Sequence, residues 1–132
     1  MQLKVSTEKG RVPVTVVHVD GNIDSASYEA FLAGVEEAIK GGARHVLIDL
    51  SQVPFVSSAG LRAFNILLNR LRALTPDVSD EEMRKGINDG TYKSPHLKLL
   101  SPSKATTTTL DSSGFSMFIE SFTDSKTAVA AF

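Results

Sequence analysis

The chain has no cysteine. That excludes disulfides and thiolate metal centres, and it leaves the redox compartment open. It has almost no net charge: 14 basic against 15 acidic residues give −1 at pH 7. A nucleic-acid binder would normally carry a basic excess, so that class is not expected. No apolar run approaches the roughly 18 residues of a membrane span. The opening residues, MQLKVSTEKGR, lack the apolar centre of a signal peptide. No serine sits in a Gly-x-Ser-x-Gly elbow, and no Walker-type phosphate loop is present. The three histidines, His18, His45 and His96, are scattered without ligand spacing. Neither a metal nor a cofactor is expected.

What is present suits one domain with one core. The chain has 132 residues, 42% of them hydrophobic and 22% charged, ordinary values for a globular protein. Two strands are expected first: MQLKVSTEKG, ending in a turn-like Glu-Lys-Gly, and VPVTVVHVDG, rich in β-branched residues. Pro13 cannot donate to a ladder, which places it at an edge or at a strand's beginning. Tyr28, Phe31, Leu32, Val35 and Ile39 then recur at helical spacing. Asp24 or Ser25 can cap that helix, and Gly41-Gly42 can stop it.

RHVLIDLS reads as a strand buried on both faces. The helix after it carries Leu61, Phe64, Leu68 and Leu71 on one face, with Leu67 and Leu74 beside them. HLKLLS is another strand. SKATTTTLDSSG is a helix capped by Ser103 and stopped by Gly114, and FSMFIES alternates as a strand would. DSKTAVAAF is a last helix capped by Asp124. The order ββαβαβαβα predicts an α/β domain with a mixed, mostly parallel sheet of about five strands, packed by about four helices. Residues 75–96 break the rhythm. There SDEEMRKG has a capping box, Ser79 with Glu82, and a stop glycine, Gly86. We expect a short helix on an exposed insertion within one domain spanning 1–132, since an unstructured loop of that length is unusual in a compact domain.

Two stretches carry candidate chemistry. In VSSAGL, a strand meets a helix that starts near Ser58. The unpaired N–H groups of such a helix end favour negative charge, phosphate in particular. Ala59 and Gly60 are small enough to let a nucleotide approach. Equally, Ser57 or Ser58 can be a plain N-cap. Asp111-Ser112-Ser113-Gly114 lies at a helix C-terminus, where added negative charge is disfavoured and the glycine serves as a left-handed stop. Asp24 and Asp49 lie near strand ends and are either caps or part of the pocket beyond the carboxyl ends of the parallel strands.

Taken together, VDGNIDSASYEAFLAGVEEAI, HVLIDLSQVPFVSSAGLRAF and LDSSGFSMFIESFTDSKTAVAAF resemble the STAS domain. This is the domain of bacterial anti-sigma factor antagonists, of stressosome proteins and of sulfate-transporter tails. The similarity spans nearly the whole chain except 75–96. The family pattern is commonly Asp-Ser-Ser/Ala-Gly-Leu; aligned on Gly60-Leu61, it implies Ser58 as phosphoacceptor, with Ser57 where aspartate is frequent. It implies a non-enzymatic, cytoplasmic partner switch. The unmodified protein would bind an anti-sigma factor serine kinase through Asp24, Ser57, Ala59, Gly60, Leu61 and Arg62, and phosphorylation would break the complex until a phosphatase reset it. No direct membrane insertion is expected, and a monomer or a homodimer stays open. The same resemblance allows a stressosome-type scaffold subunit, or a module that binds a membrane transport component.

Overall fold

Val46, Leu47, Ile48 and Leu50 have essentially no exposed surface, because the strand that carries them lies at the centre of the sheet. In the computed structural model, which describes residues 1–75, 79–90 and 92–132, the sheet has five strands. They are β1 (Gln2–Lys9), β2 (Pro13–Asp20), β3 (Val46–Gln52), β4 (Leu97–Leu100) and β5 (Ser121–Phe122), in spatial order β1-β2-β3-β4-β5. β1 and β2 form an antiparallel hairpin, and every later pair is parallel. Pro13 is the first residue of β2, where a missing donor does least harm.

The helices are α1 (Tyr28–Lys40), α2 (Ser58–Leu74), α3 (Asp80–Asp89), α4 (Lys104–Ser113) and α5 (Ser125–Ala130). Alternation along the strands gives the sheet two different faces. One face, through Val17, Val19, Ile48, Leu50 and Leu99, packs on Phe31, Val35 and Ile39 of α1, on the apolar stripe of α2 and on Leu110 of α4. Among the described residues, the one helix on the other face is α5, which seats Ala128 and Val129 on Val14, Val16, Leu47 and Leu100. Leu61, Phe64, Leu67, Leu68 and Leu71 are buried as their spacing predicts, but Leu74 is not: the last turn of α2 runs past the core and leaves it 41% exposed.

Local chemistry sets most element ends. Ser103 Oγ accepts from the Thr106 N–H, and Gly114 closes α4 at φ 85°. Asp124 accepts from the Thr127 N–H and caps α5. Three expectations need correction. Neither Asp24 nor Ser25 is the N-cap of the first helix, which begins at Tyr28 after Ser27, because the Asp24 side chain closes a preceding turn by accepting from the Ala26 and Ser27 N–H groups. FSMFIES is not a full strand: Phe115–Met117 form a 3-10 turn, and only Ser121–Phe122 pair with β4. Phe115, Phe118 and Ile119 stand at i, i+3 and i+4, a helical spacing, and the two rings meet at 5.3 Å over the core.

The third correction concerns 75–96. Ser79 does cap a helix, accepting from the Glu82 N–H, but α3 continues through Gly86 to a left-handed stop at Gly90. Gly86 is there for space: a Cβ would lie 2.8 Å from that of Tyr92. Nor is the whole segment an exposed excursion, since Tyr92, Ser94 and His96 are buried. The Ser94 N–H donates to the Phe118 carbonyl, and Ser94 Oγ accepts from the His96 and Leu97 N–H groups. These bonds lock the returning chain into the entry of β4.

Candidate functional site

Two loops meet beyond the carboxyl ends of β2 and β3. The Ile23 N–H donates to the Phe55 carbonyl, and the Ser57 N–H donates to the Ile23 carbonyl, so Ile23 and Val56 form an isolated parallel bridge. Both side chains are fully buried beneath it. Ser103 Oγ adds a third tie by donating to the Pro54 carbonyl. The loop that introduces α2 is therefore held at three points, and Ser58 enters the helix from a fixed base.

Ser57 is the N-cap: its Oγ accepts from the Ala59 N–H at 3.2 Å. Ser58 is the first helical residue and is exposed. No acidic side chain lies in the first turn of this 17-residue helix. Its positive end is therefore not neutralised locally, and the N–H groups there favour an anionic group on Ser58. The two serines thus divide the roles left open by the sequence, Ser57 closing the helix and Ser58 facing solvent.

The other expected contact residues separate into surface and support. Arg62 is exposed and Ala59 partly so. Gly60 and Leu61 are buried, Leu61 with 7% exposure. They hold the loop from below and cannot themselves be a broad contact surface. Two further residues of the same loop and helix are large, apolar and exposed. Phe55, in the loop, is 44% exposed, and Ile66, two turns along α2, is 40% exposed. Ser58, Arg62 and Ile66 recur at i, i+4 and i+8 and so share one stripe of the helix. Nothing in the sequence marks Phe55 or Ile66, because large apolar residues are ordinarily read as core.

The second serine stretch is absorbed by its helix. Ser112 Oγ donates to the Thr108 carbonyl at 2.7 Å, and Ser113 Oγ donates to the Leu110 carbonyl at 3.1 Å. Among the described residues no group of three or more His, Asp or Glu could hold a metal ion, and no helix is long and apolar enough to cross a membrane.

Asp24 and Asp49 do not converge on Ser58. Asp24 closes its own turn, as above. Asp49 lies on the face of the sheet opposite α1 and α2, where it lines a cavity of about 240 Å3 with Gln2, Lys4, His18, Asp20 and Gln52. Of the three histidines, His45 and His96 meet with rings 5.7 Å apart, whereas His18 pairs with Asp49, its Nδ1 lying 2.8 Å from Asp49 Oδ2. Burial works against the charged Asp49. The Ser51 N–H, the Ser51 hydroxyl and His18 outweigh it and hold the carboxyl below its ordinary value near 3.8. A depressed folded-state pKa means stability that is present above the unfolded value and lost as pH falls through the folded one. Asp49→Asn should therefore cost stability at neutral pH. In urea melts, its difference from the parent protein should stay constant down to about pH 5 and shrink below about pH 4. A difference that grew on acidification would contradict this assignment.

The model of the STAS domain matches residues 5–77, from β1 through α2, and so includes the paired loops and Ser58. A search of curated proteins finds no match to the sequence. The fold is similar to several solved structures. A protein described as an anti-sigma factor antagonist of Thermotoga maritima superposes with a TM-score of 0.71 at 12% identity, covering 96% of this chain and 90% of that one. An anti-sigma factor antagonist of Mycobacterium paratuberculosis gives 0.68 at 18% identity, covering 98% and 93%. The Bacillus cell fate determinant SpoIIAA in its phosphorylated form gives 0.63 at 15% identity, covering 97% and 96%. At such identities the superpositions establish the fold, and the family model, spanning more than half of the chain, establishes kinship: this protein belongs to the STAS domain family.

Proposed function

We propose that this protein is an anti-sigma factor antagonist, which binds an anti-sigma factor serine kinase and is released from it by phosphorylation of Ser58. The observation that carries the proposal is the exposed hydroxyl of Ser58 at the uncompensated positive end of α2, on a loop fixed at three points. A phosphoryl group there gains helix N–H donors while adding about 1.5 to 2 negative charges to the surface. The contact surface is Phe55, Ser58, Ala59, Arg62 and Ile66, bordered by the Asp24 turn. Gly60 and Leu61 support it from below. The chain is a substrate in this scheme, and the kinase supplies the chemistry.

One phosphate is enough to switch such a contact. Two close like charges at an interface cost on the order of 1–4 kcal/mol, and each ~1.4 kcal/mol is tenfold in affinity. The test is incubation with the cognate kinase and ATP, read by peptide mass spectrometry, with pull-down of each variant. Ser58→Ala should bind and resist labelling. Ser58→Asp should bind at least about tenfold more weakly. Ser112→Ala and Ser113→Ala should behave as the parent protein does. Label on Ser112 or Ser113 would overturn the site. A chain that no kinase labels and that elutes as a very large particle would instead be a scaffold subunit.

A further inference from the structure

On the open half of the sheet's second face, three adjacent strands assemble a chain of hydrogen bonds that the role of Ser58 does not use. Lys4 of β1 pairs with His18 of β2, and His18 pairs with Asp49 of β3. Side chains two residues apart on a strand share a face, so Lys4 and Ser6 lie on the face that carries His18 and Asp49. His18 Nδ1 lies 2.8 Å from Asp49 Oδ2, and its Nε2 lies 3.1 Å from Ser6 Oγ. An ionised Asp49 can only accept, so Nδ1 keeps its proton and donates to it. Nε2 is then the acceptor, and the Ser6 hydroxyl donates to it. This is the order of roles in Ser-His-Asp acyl-transfer sites.

Burial accounts for only one end of the array, since the Asp49 side chain is 15% exposed and needs partners. Buried polar groups must find partners, but the His18 side chain is 44% exposed and could be hydrated equally well. The adjoining cavity of about 240 Å3, which His18 and Asp49 line, is also lined by Gln2, Lys4, Gln52, Val19 and Asp20. The side-chain N–H groups of Gln2, Lys4 and Gln52 are donors lining the same cavity as His18. Its volume is below the roughly 300–1,000 Å3 of pockets for drug-sized ligands, so only a small group fits beside His18.

We propose that Ser6 is an activated nucleophile that takes an acyl group from small activated esters, with His18 as general base and Asp49 as the residue that orients it. Ser6 Oγ attacks the carbonyl carbon and forms the new C–O bond while its proton passes to His18 Nε2. The ester's own C–O bond breaks, and the alcohol leaves with that proton. The products are one acyl-serine and one alcohol. None of the three residues belongs to the Ser58 surface, so this chemistry stands or falls separately from the partner switch.

The experiment is incubation of the full chain with p-nitrophenyl acetate, following p-nitrophenolate release and mapping the acetyl group by peptide mass spectrometry. The expected result is one acetyl group per chain, on Ser6, and none there in Ser6→Ala. General bases typically contribute 10²–10⁴-fold. His18→Gln and Asp49→Asn should each slow acetylation of Ser6 by at least about tenfold, while thermal unfolding shows that both variants are folded at the assay temperature. Acetylation confined to lysines or the terminal amine would overturn the proposal, as would a rate at Ser6 indifferent to His18→Gln.

Discussion

Phe64→Ala should lower the stability of the domain by about 3–5 kcal/mol, the range for emptying a fully buried aromatic site. Phe64 has no exposed surface. Its ring meets that of Phe31 edge-on, with centroids 5.8 Å apart and planes at 72°, the favoured arrangement for an aromatic pair. One ring belongs to α2 and the other to α1, so the substitution removes an aromatic contact between the two helices that cover the same face of the sheet. Leu68→Ala, one turn further along, should cost about 2–5 kcal/mol for the same reason. Ile66→Ala is the control within this helix. At 40% exposure it should stay within about 0.5 kcal/mol. Urea midpoints of the three variants measure the contrast. A loss below 1 kcal/mol for Phe64→Ala would mean that α1 and α2 do not share this core.

The second large effect is expected from the smallest change, Gly60→Ala. In an exposed helix this substitution would gain about 1 kcal/mol, because glycine is the poorer helix former. Here an added Cβ would lie 2.7 Å from the Ile23 carbonyl oxygen, 2.6 Å from Val56 Cγ1 and 3.1 Å from Ile23 Cγ2. The carbonyl cannot yield, since it accepts from the Ser57 N–H within the bridge that joins the two loops. Overpacking of this kind typically costs 1–3 kcal/mol, so the steric term should exceed the propensity gain and Gly60→Ala should destabilise. Gly60→Val, with two further methyl groups and a β-branch, should cost more. Both variants push the base of the Ser58 loop outward, so kinase binding should fall together with the urea midpoint. An unchanged midpoint for Gly60→Ala would show that α2 can shift away from Ile23 and that the loop is not held as described.

The sequence by itself determined the elements whose signals are local. Ser103 with Gly114, Asp124, and Gly41-Gly42 each act within a turn of their own position, and the structure uses them as caps and stops. The same holds for the face of α2 carrying Leu61, Phe64, Leu68 and Leu71, because helical periodicity is a property of the segment alone. Phe115–Met117 escaped a pattern reading because two periods fit the same short run of letters, and only the core beneath Phe115, Phe118 and Ile119 chooses between them. Gly86 looked like a stop until Tyr92, distant from it in the local pattern, returned to pack on it.

For the candidate site, the sequence could place Ser58 at a strand-to-helix junction. It could not say which of two adjacent serines would cap the helix. That is settled by the bond of Ser57 to Ile23, 34 positions away. Nor could it expose Phe55 and Ile66, since exposure depends on where the sheet ends and where α1 covers α2. His18, Asp49 and Ser6 stand in three separate strands and share no sequence motif. Pairing of those strands, antiparallel on one side and parallel on the other, brings the three side chains together on one face. Register is a relation between segments, fixed by which faces can be buried together, and it exists only once the sheet has formed.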